Sequence, residues 1–355
     1  MLHSGFAEVY VFSVAFLWRT KDIALTDNDH HSPTILLTGA AGFIGSHLAQ
    51  RLLCAGTNVV AVDNLDPFYD QRLKRENLEL VEATAVKHKA RFEFVRADIT
   101  DAAAIREAFE RFKPTGVIHL AAKAGVRPSL ADPVGYARAN VMGTAVMLEE
   151  ARRARCSRLV MASSSSVYGN GLVVPFREDA DTDSPISPYA STKRACELLA
   201  STHHHLTKMP TACLRFFTVF GPRQRPDLAI QSFITKIAAG QTITVFGDGS
   251  MSRDFTYIDD ITAGILAAYE QILEHGYRVW NLGGNHPVRL DQMIDTIART
   301  VGKLAIVERQ PMQPGDVLRT WADLTRSQKE LGFAPSTTFE DGVRAQWEWN
   351  RSRQA

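Results

Sequence analysis

Thr34-Ile-Leu-Leu-Thr-Gly-Ala-Ala-Gly-Phe-Ile-Gly45 decides how the rest of the chain is read. Five mostly apolar residues form a short buried strand. Glycines at 39, 42 and 45 follow, and a helical pattern covers 43–55. Glycines between a strand and a helix permit a tight turn and a close backbone approach to a pyrophosphate seated on the helix N-terminus. Gly39, Gly42, Phe43, Ile44 and Gly45 are therefore candidate dinucleotide ligands. The spacing is GxxGxxG rather than GxGxxG, but strand, turn and helix fall in the order the motif requires.

Working outward, apolar runs continue to alternate with helical patterns. Residues 57–62, 91–96, 116–122, 158–162 and 211–217 read as strands, and 101–112, 140–155 and 188–206 as helices. This alternation predicts a doubly wound parallel α/β sheet. From about residue 221 Pro and Gly recur and strands shorten, which predicts a smaller C-terminal substrate-binding α/β part. The expected division is a dinucleotide-binding domain of 34–220 plus about 255–285, and a second domain of 221–254 plus 286–351.

Residue chemistry at the strand ends sharpens the cofactor. The second strand ends at Asp63-Asn64, where a carboxylate accepts from the hydroxyls of an adenosine ribose and repels a 2′-phosphate. NAD is expected rather than NADP. Asp98-Ile99 follows the third strand, where an adenine edge would be read. Leu120-Ala121-Ala122 ends the fourth strand with small residues that let a cofactor lie close.

The fifth strand runs into Ser163-Ser-Ser-Ser166-Val-Tyr-Gly169, placing hydroxyls at the carboxyl end of a central strand, where such sheets bind ligands. Ser164 precedes Tyr189 by 25 residues. Tyr189 and Lys193 are four apart in a helical stretch, so they share one face. An ammonium beside a phenol favours the phenolate, which makes Tyr189 a candidate general base for an alcohol.

Bulk properties exclude other classes. The 355 residues are 45% apolar and 22% charged, with a formal net charge of +1. No bulk field favours nucleic acid or an anionic membrane. Cys54, Cys156, Cys196 and Cys213 lack a CxxC spacing and read as reduced residues of a cytoplasmic protein. Residues 1–33 read as a poorly ordered extension; their apolar run 9–18 is too short to span a bilayer. His203-His204-His205 has no acidic or cysteine partner at ligand spacing and reads as the exposed end of a helix, so no metal is expected. Trp347 and Trp349 read as closing a core.

These segments, with Arg215-Phe-Phe-Thr-Val-Phe-Gly-Pro222 and Arg253-Asp-Phe-Thr-Tyr-Ile-Asp-Asp260, resemble the extended short-chain dehydrogenase/reductase family and, within it, the NAD-dependent nucleotide-sugar 4-epimerases. The resemblance runs from Thr34 to about Arg351. It implies a Rossmann-type sheet and a homodimer joined through the helices near 140–155 and 189–206. Tyr189 would be the base, and Lys193 its activator and nicotinamide-ribose ligand. Ser164 would bond the sugar hydroxyl, and Phe217 to Val219 would flank the nicotinamide. Arg253 would hold the diphosphate and Asp316 the uridine ribose. The implied reaction is oxidation at C4, rotation of a 4-keto sugar, and reduction from the other face, with NAD unchanged.

Dehydratases of the family carry an Asp-Glu pair where this chain has Ser165-Ser166. Thr218, where glucose/galactose enzymes usually carry asparagine, resembles the UDP-glucuronate 4-epimerases. So do Arg225-Pro-Asp227, Asp63-Asn-Leu-Asp-Pro-Phe-Tyr-Asp70 and Leu73-Lys-Arg75. A C5 carboxylate needs donors, which hydroxyls and guanidinium groups supply; Arg225 and Arg127 are the candidates. The alternatives are a UDP-glucose 4-epimerase, a decarboxylase of the same fold, and an NAD-binding regulatory protein without activity.

Overall fold

In the computed structural model, residues 33–171, 173–312 and 317–353 are described. Readings that concern residues 1–32 or Asp316 lie outside them. The glycine turn joins β1 (Thr34–Thr38) to α1 (Phe43–Cys54); β2 (Asn58–Asp63), α2 (Gln71–His88), β3 (Phe92–Arg96), α3 (Ala102–Phe112) and β4 (Gly116–His119) follow. Next come α4 (Val126–Ala131), α5 (Pro133–Tyr136), a π-helical turn (Ala137–Met142) and α6 (Gly143–Arg153). β5 (Leu159–Ser164) runs into a 3-10 turn (Ser165–Tyr168); α7 (Pro188–Thr207), β6 (Thr211–Phe216) and β7 (Thr218–Phe220) succeed it. The rest comprises α8 (Ala229–Ala238), β8 (Thr242–Phe246), β9 (Ser252–Tyr257), α9 (Ile258–His275), β10 (Tyr277–Leu282), β11 (Pro287–Arg289), α10 (Leu290–Val301), β12 (Ile306–Gln310), α11 (Thr325–Leu331) and α12 (Phe339–Ser352).

Seven parallel strands pair in the order β10-β6-β5-β4-β1-β2-β3. The order reverses between β1 and β4, the point at which such sheets open a ligand crevice. Strand residues are apolar on both faces because helices cover both. Ile35 and Leu37 pack with α1 and α9, whereas Leu36 packs with α3 and α6. A separate core joins α8, β8, α10 and α12 around Phe220, Ile234 and Ile297. β7 leaves the main sheet to pair with β9, and β11 completes that three-stranded sheet.

Local chemistry explains the helix starts. Asp101 accepts from the Ala103 and Ala104 N–H groups to open α3. Ser187 accepts from Ala190 N, with Pro188 in the first turn, to open α7. Some boundaries differ from the sequence reading. β4 stops at His119, because Ala121 N–H donates to the Thr38 hydroxyl (3.1 Å) instead of extending the ladder. The helix expected from 140 begins inside the π turn. α2 was missed: its charged composition hides a stripe of buried Leu78, Val81 and Ala85. His203 and His204 are half-buried rather than exposed, and His204 stacks on Tyr277 and bonds Met209 O at 2.9 Å.

One buried ion pair crosses the sheet's edge. Glu197 of α7 receives Arg215 Nε at 2.8 Å and Nη2 at 2.9 Å, and Ser163 Oγ donates to it at 2.6 Å. Burial pushes the Glu197 carboxyl up, but the Arg215 bonds outweigh it and hold it below its ordinary value. Removing one partner strands a buried charge. Glu197→Gln is expected to lower unfolding free energy by about 3–5 kcal/mol, read as a reduced urea midpoint with an unchanged m-value.

Candidate active site

The glycine turn is built for a close ligand. Gly39 has φ +70, and a Cβ there would meet Ala121 N at 2.8 Å. A Cβ on Gly45 would meet Gly39 O at 2.1 Å. Gly42 is the N-cap of α1 and supplies no side-chain cap, so the first-turn N–H groups, including those of Phe43 and Ile44, are presented to an anion. Asp63 closes the far side, accepting from Ala41 N (3.1 Å) and Leu65 N (2.8 Å), and burial raises its carboxyl above the ordinary value. Asn64 donates to Asp98 at 2.9 Å, so the ends of β2 and β3 are tied together. Ile99 is buried against Gly143, and Leu120 to Ala122 are half-buried where β4 leaves the sheet. These residues fit a dinucleotide: a side-chain-free cradle, an uncapped helix start and a carboxylate at the ribose end.

Lys193 reaches the end of β5, where Ser164 closes the strand. Lys193 is buried and donates to Ala162 O at 2.8 Å. Ser164 lies two residues further along that strand, and its Oγ accepts from Ser166 N at 3.1 Å and donates to Ser166 Oγ at 3.1 Å. Tyr189 sits one turn before Lys193, and its ring meets Tyr136 edge-on at 6.2 Å. Phe217 is buried, its N–H bonded to Leu282 O at 3.0 Å, with Val219 buried beyond it. Thr218 opens β7, half-buried between them. Ser165 and Ser166 are half-buried in the 3-10 turn.

The arginines divide. Arg225 lies close enough to Tyr189 for the two groups to interact electrostatically, and burial of its guanidinium is outweighed by Asp227. Its Nε and Nη2 grip the Asp227 carboxylate at 3.0 and 2.7 Å. Arg127, on α4, lies with its guanidinium over the Phe246 ring at 4.5 Å. Arg253, on β9, donates to Ser252 O at 3.0 Å.

Sequence reasoning missed the layer beneath the site. The Thr38 hydroxyl accepts from Ala121 N and so is free to donate to His119 Nδ1 (2.7 Å). Nε2–H then donates to Thr144 (3.2 Å), Thr144 to Cys196 Sγ (3.3 Å), and Cys196 to Asn140 O (3.3 Å). That chain of donors assigns a neutral histidine. Asn140 in turn clamps the main chain of Lys123 on both sides (2.8 and 3.0 Å) and donates to Thr192 (2.9 Å). The π turn, a feature common at functional sites, aims Asn140 at α7.

Comparison with known proteins follows the geometry. Residues 36–346 match the model of the GDP-mannose 4,6 dehydratase family. The chain belongs to this family, within the extended short-chain dehydrogenase/reductases. Similar family members include the UDP-glucuronate 4-epimerase of Thermodesulfobacterium geofontis, 41% identical over 317 residues, 89% of this chain and 95% of the relative. The Bacillus cereus UDP-glucuronic acid 4-epimerase, solved with UDP-glucuronic acid and NAD, is 35% identical with a TM-score of 0.83 over 90% of this chain and 99% of that one. The Thermotoga maritima UDP-glucose 4-epimerase, solved with UDP-glucose, is 29% identical with a TM-score of 0.81, covering 91% of this chain and 100% of that one.

His119 makes the site's support pH-sensitive. Burial, with Lys193 nearby, lowers its value to about 3, and burial and Arg223 do the same to His47. The unfolded chain then binds protons below about pH 6.5 that the folded chain refuses. Stability present above pH 6.5 is lost as pH falls, by about 1.4 kcal/mol per pH unit for each histidine. Urea unfolding at pH 7.0, 6.0 and 5.5 is expected to show His119→Asn losing about 1.3 kcal/mol less than the parent across that range, the carboxylates raised by burial titrating alike in both.

Proposed function

We propose that this protein is an NAD-dependent UDP-sugar 4-epimerase whose substrate is UDP-glucuronate, converted to UDP-galacturonate. The observation that supports the reading is Lys193 seated on Ala162 O, two residues before Ser164 and one helical turn from Tyr189, together with the uncapped glycine turn that opens α1. A purely NAD-binding regulator has no use for that trio. Similarity to UDP-glucuronate 4-epimerases over most of the chain supports the same reading.

NAD, when bound, would supply reversible hydride acceptance at the sugar C4. Gly39, Gly42, Phe43, Ile44 and Gly45 hold its pyrophosphate, Asp63 and Asn64 its adenosine ribose, and Asp98-Ile99 its adenine. Leu120 to Ala122, Phe217 and Val219 line the nicotinamide end. Ser164 bonds the sugar 4-hydroxyl. Tyr189 takes that proton, keeps it while the 4-keto sugar turns over about its diphosphate, and gives it back. Lys193 anchors the nicotinamide ribose and favours the phenolate. Arg253 holds the diphosphate, and Asp316 the uridine ribose. Thr218, Ser165, Ser166, Arg127 and Arg225 supply the donors for the uronate carboxylate.

Residues 34–220 with about 255–285 form the NAD-binding domain, and 221–254 with 286–351 the nucleotide-sugar domain. The protein works in the cytoplasm, in polysaccharide precursor synthesis, as a homodimer. Exposed Met142, Leu198 and Leu206, at 43%, 53% and 74%, lie on the helices that would join the protomers. Among the described residues, no helix is long and apolar enough to cross a membrane.

Purified protein is expected to carry NAD and to interconvert UDP-glucuronate and UDP-galacturonate with no cofactor added, followed by chromatographic separation of the two. Tyr189→Phe should lower kcat by about 10²- to 10⁴-fold while the cofactor stays bound. Unchanged turnover would remove Tyr189 as the base. Efficient turnover of UDP-glucose, with none of UDP-glucuronate, would overturn the uronate assignment and leave the epimerase reading intact. Release of carbon dioxide would favour decarboxylation.

A further inference from the structure

We propose that Phe68 controls how well this enzyme distinguishes a uronate from a neutral sugar, by holding the Arg225 guanidinium in its carboxylate-binding pose. The inference rests on the reading of Arg225 given above.

Phe68 lies on the loop between β2 and α2, which begins at Asp63. The Phe68 ring is 48% exposed, so core packing does not account for it. Its neighbour is Arg225, whose guanidinium lies over the ring at 5.0 Å from the centroid. The guanidinium is thereby fixed from three directions. Asp227 grips its Nε and Nη2, Ala124 O accepts from Nη2 at 3.4 Å, and Phe68 covers its face. A cation over an aromatic face is attracted by the ring quadrupole, and the stacked geometry also fixes the plane of the fork.

A platform works only if it is rigid, and this loop is. Asn64 Oδ1 accepts from Asp66 N at 2.9 Å, and Asp66 Oδ1 accepts from Phe68 N at 2.8 Å. Asp70 caps α2 by accepting from Arg72 N. Gln71 donates to Leu65 O at 2.6 Å, and Lys74 Nζ to Asp66 O at 2.9 Å. Successive side-chain turns of this kind leave the backbone little freedom. The adjacent Tyr69 interacts electrostatically with both Asp63 and Arg225. A loop that starts at the cofactor-ribose carboxylate therefore ends against the arginine facing the sugar. The contact of the Phe68 ring that bears on the site is the one with Arg225. Phe68 is a positioning residue that acts through Arg225.

The test is the dissociation constant of the NAD-loaded protein for UDP-glucuronate and for UDP-glucose, by calorimetry, in the parent, Phe68→Ala, Phe68→Trp, Arg225→Lys and Phe68→Ala/Arg225→Lys. Phe68→Ala should weaken UDP-glucuronate about 3- to 20-fold and change UDP-glucose by less than about twofold. Phe68→Trp should retain parental discrimination. In the Arg225→Lys background, Phe68→Ala should add less than about twofold. Equal weakening of both sugars by Phe68→Ala, no weakening, or a full effect persisting without Arg225 would each overturn the proposal. The underlying reading fails separately, if Arg225→Lys alone leaves the preference between the two sugars unchanged.

Discussion

The Glu197 carboxylate holds the reactive elements in one frame. It accepts from Ser163 on β5 and from Arg215 on β6, and it sits on α7 one turn beyond Lys193. Ser163 precedes Ser164, Arg215 leads to Phe217 and Thr218, and α7 carries Tyr189. One buried anion therefore sets the mutual position of three segments that contribute to the site. Arg215 extends the frame: its guanidinium lies over the Tyr168 ring at 4.8 Å and donates to Glu178 O at 3.2 Å. A buried pair contributes little net stability compared with a well-packed apolar substitute. Its consequence here is geometric, because an apolar contact has no preferred direction and the two-pronged guanidinium–carboxylate contact does.

A second buried carboxylate organises the C-terminal part by a different balance. Asp254 on β9 accepts from Gly284 N (2.6 Å), Asn285 N (3.2 Å) and Ala322 N (2.8 Å), and its own N–H donates to Thr320 Oγ1 (3.0 Å). With only backbone donors and no bound guanidinium, burial pushes it up to about 6. Its neighbour in sequence is Arg253, and the strand that carries both pairs with Thr218 of β7 through Phe255. β7, β9 and β11 thus place Thr218 and Arg253 on one small sheet. The loops around it are pinned by hydrogen bonds to charge rather than by a large core.

The fold was legible because its signals are local. A strand, a glycine turn and a helix follow one another between Thr34 and Cys54, and the later apolar runs repeat the pattern. Gly39 and Gly45 could be assigned because only a missing Cβ satisfies their surroundings. That Lys193 reaches the end of β5, beside Ser164, was legible through the order of strands. What stayed hidden depends on contacts between distant segments. His119 read as a mid-strand residue and Asn140 as a helix start. Their meaning comes from Thr38, Thr144, Thr192 and Cys196, which only the fold brings to them. α2 escaped because its apolar stripe is narrow among charged residues. Arg127 and Arg225 looked equivalent as guanidinium donors, and only the folded chain separates the two, setting Arg127 over Phe246 and Arg225 over Phe68 against Asp227.

That separation bears on how an anionic sugar is recognised. Arg225 is already bound to Asp227 through a two-pronged contact, so the pair presents almost no net charge to an incoming carboxylate. Long-range attraction then contributes little, as does the molecule as a whole at a formal net charge of +1. On the proposed reading, Arg225 would offer a uronate directed N–H donors, and Ser165, Ser166 and Thr218 would offer hydroxyls. Hydrogen bonds to a carboxylate fall off steeply with misalignment. Discrimination against a neutral hydroxymethyl group therefore depends on where the guanidinium plane is held more than on its charge. The residues that hold it, Asp227, Ala124 and Phe68, belong to three separate segments of the chain. Substrate choice in this protein is accordingly a property of the packed cleft, which no single motif encodes.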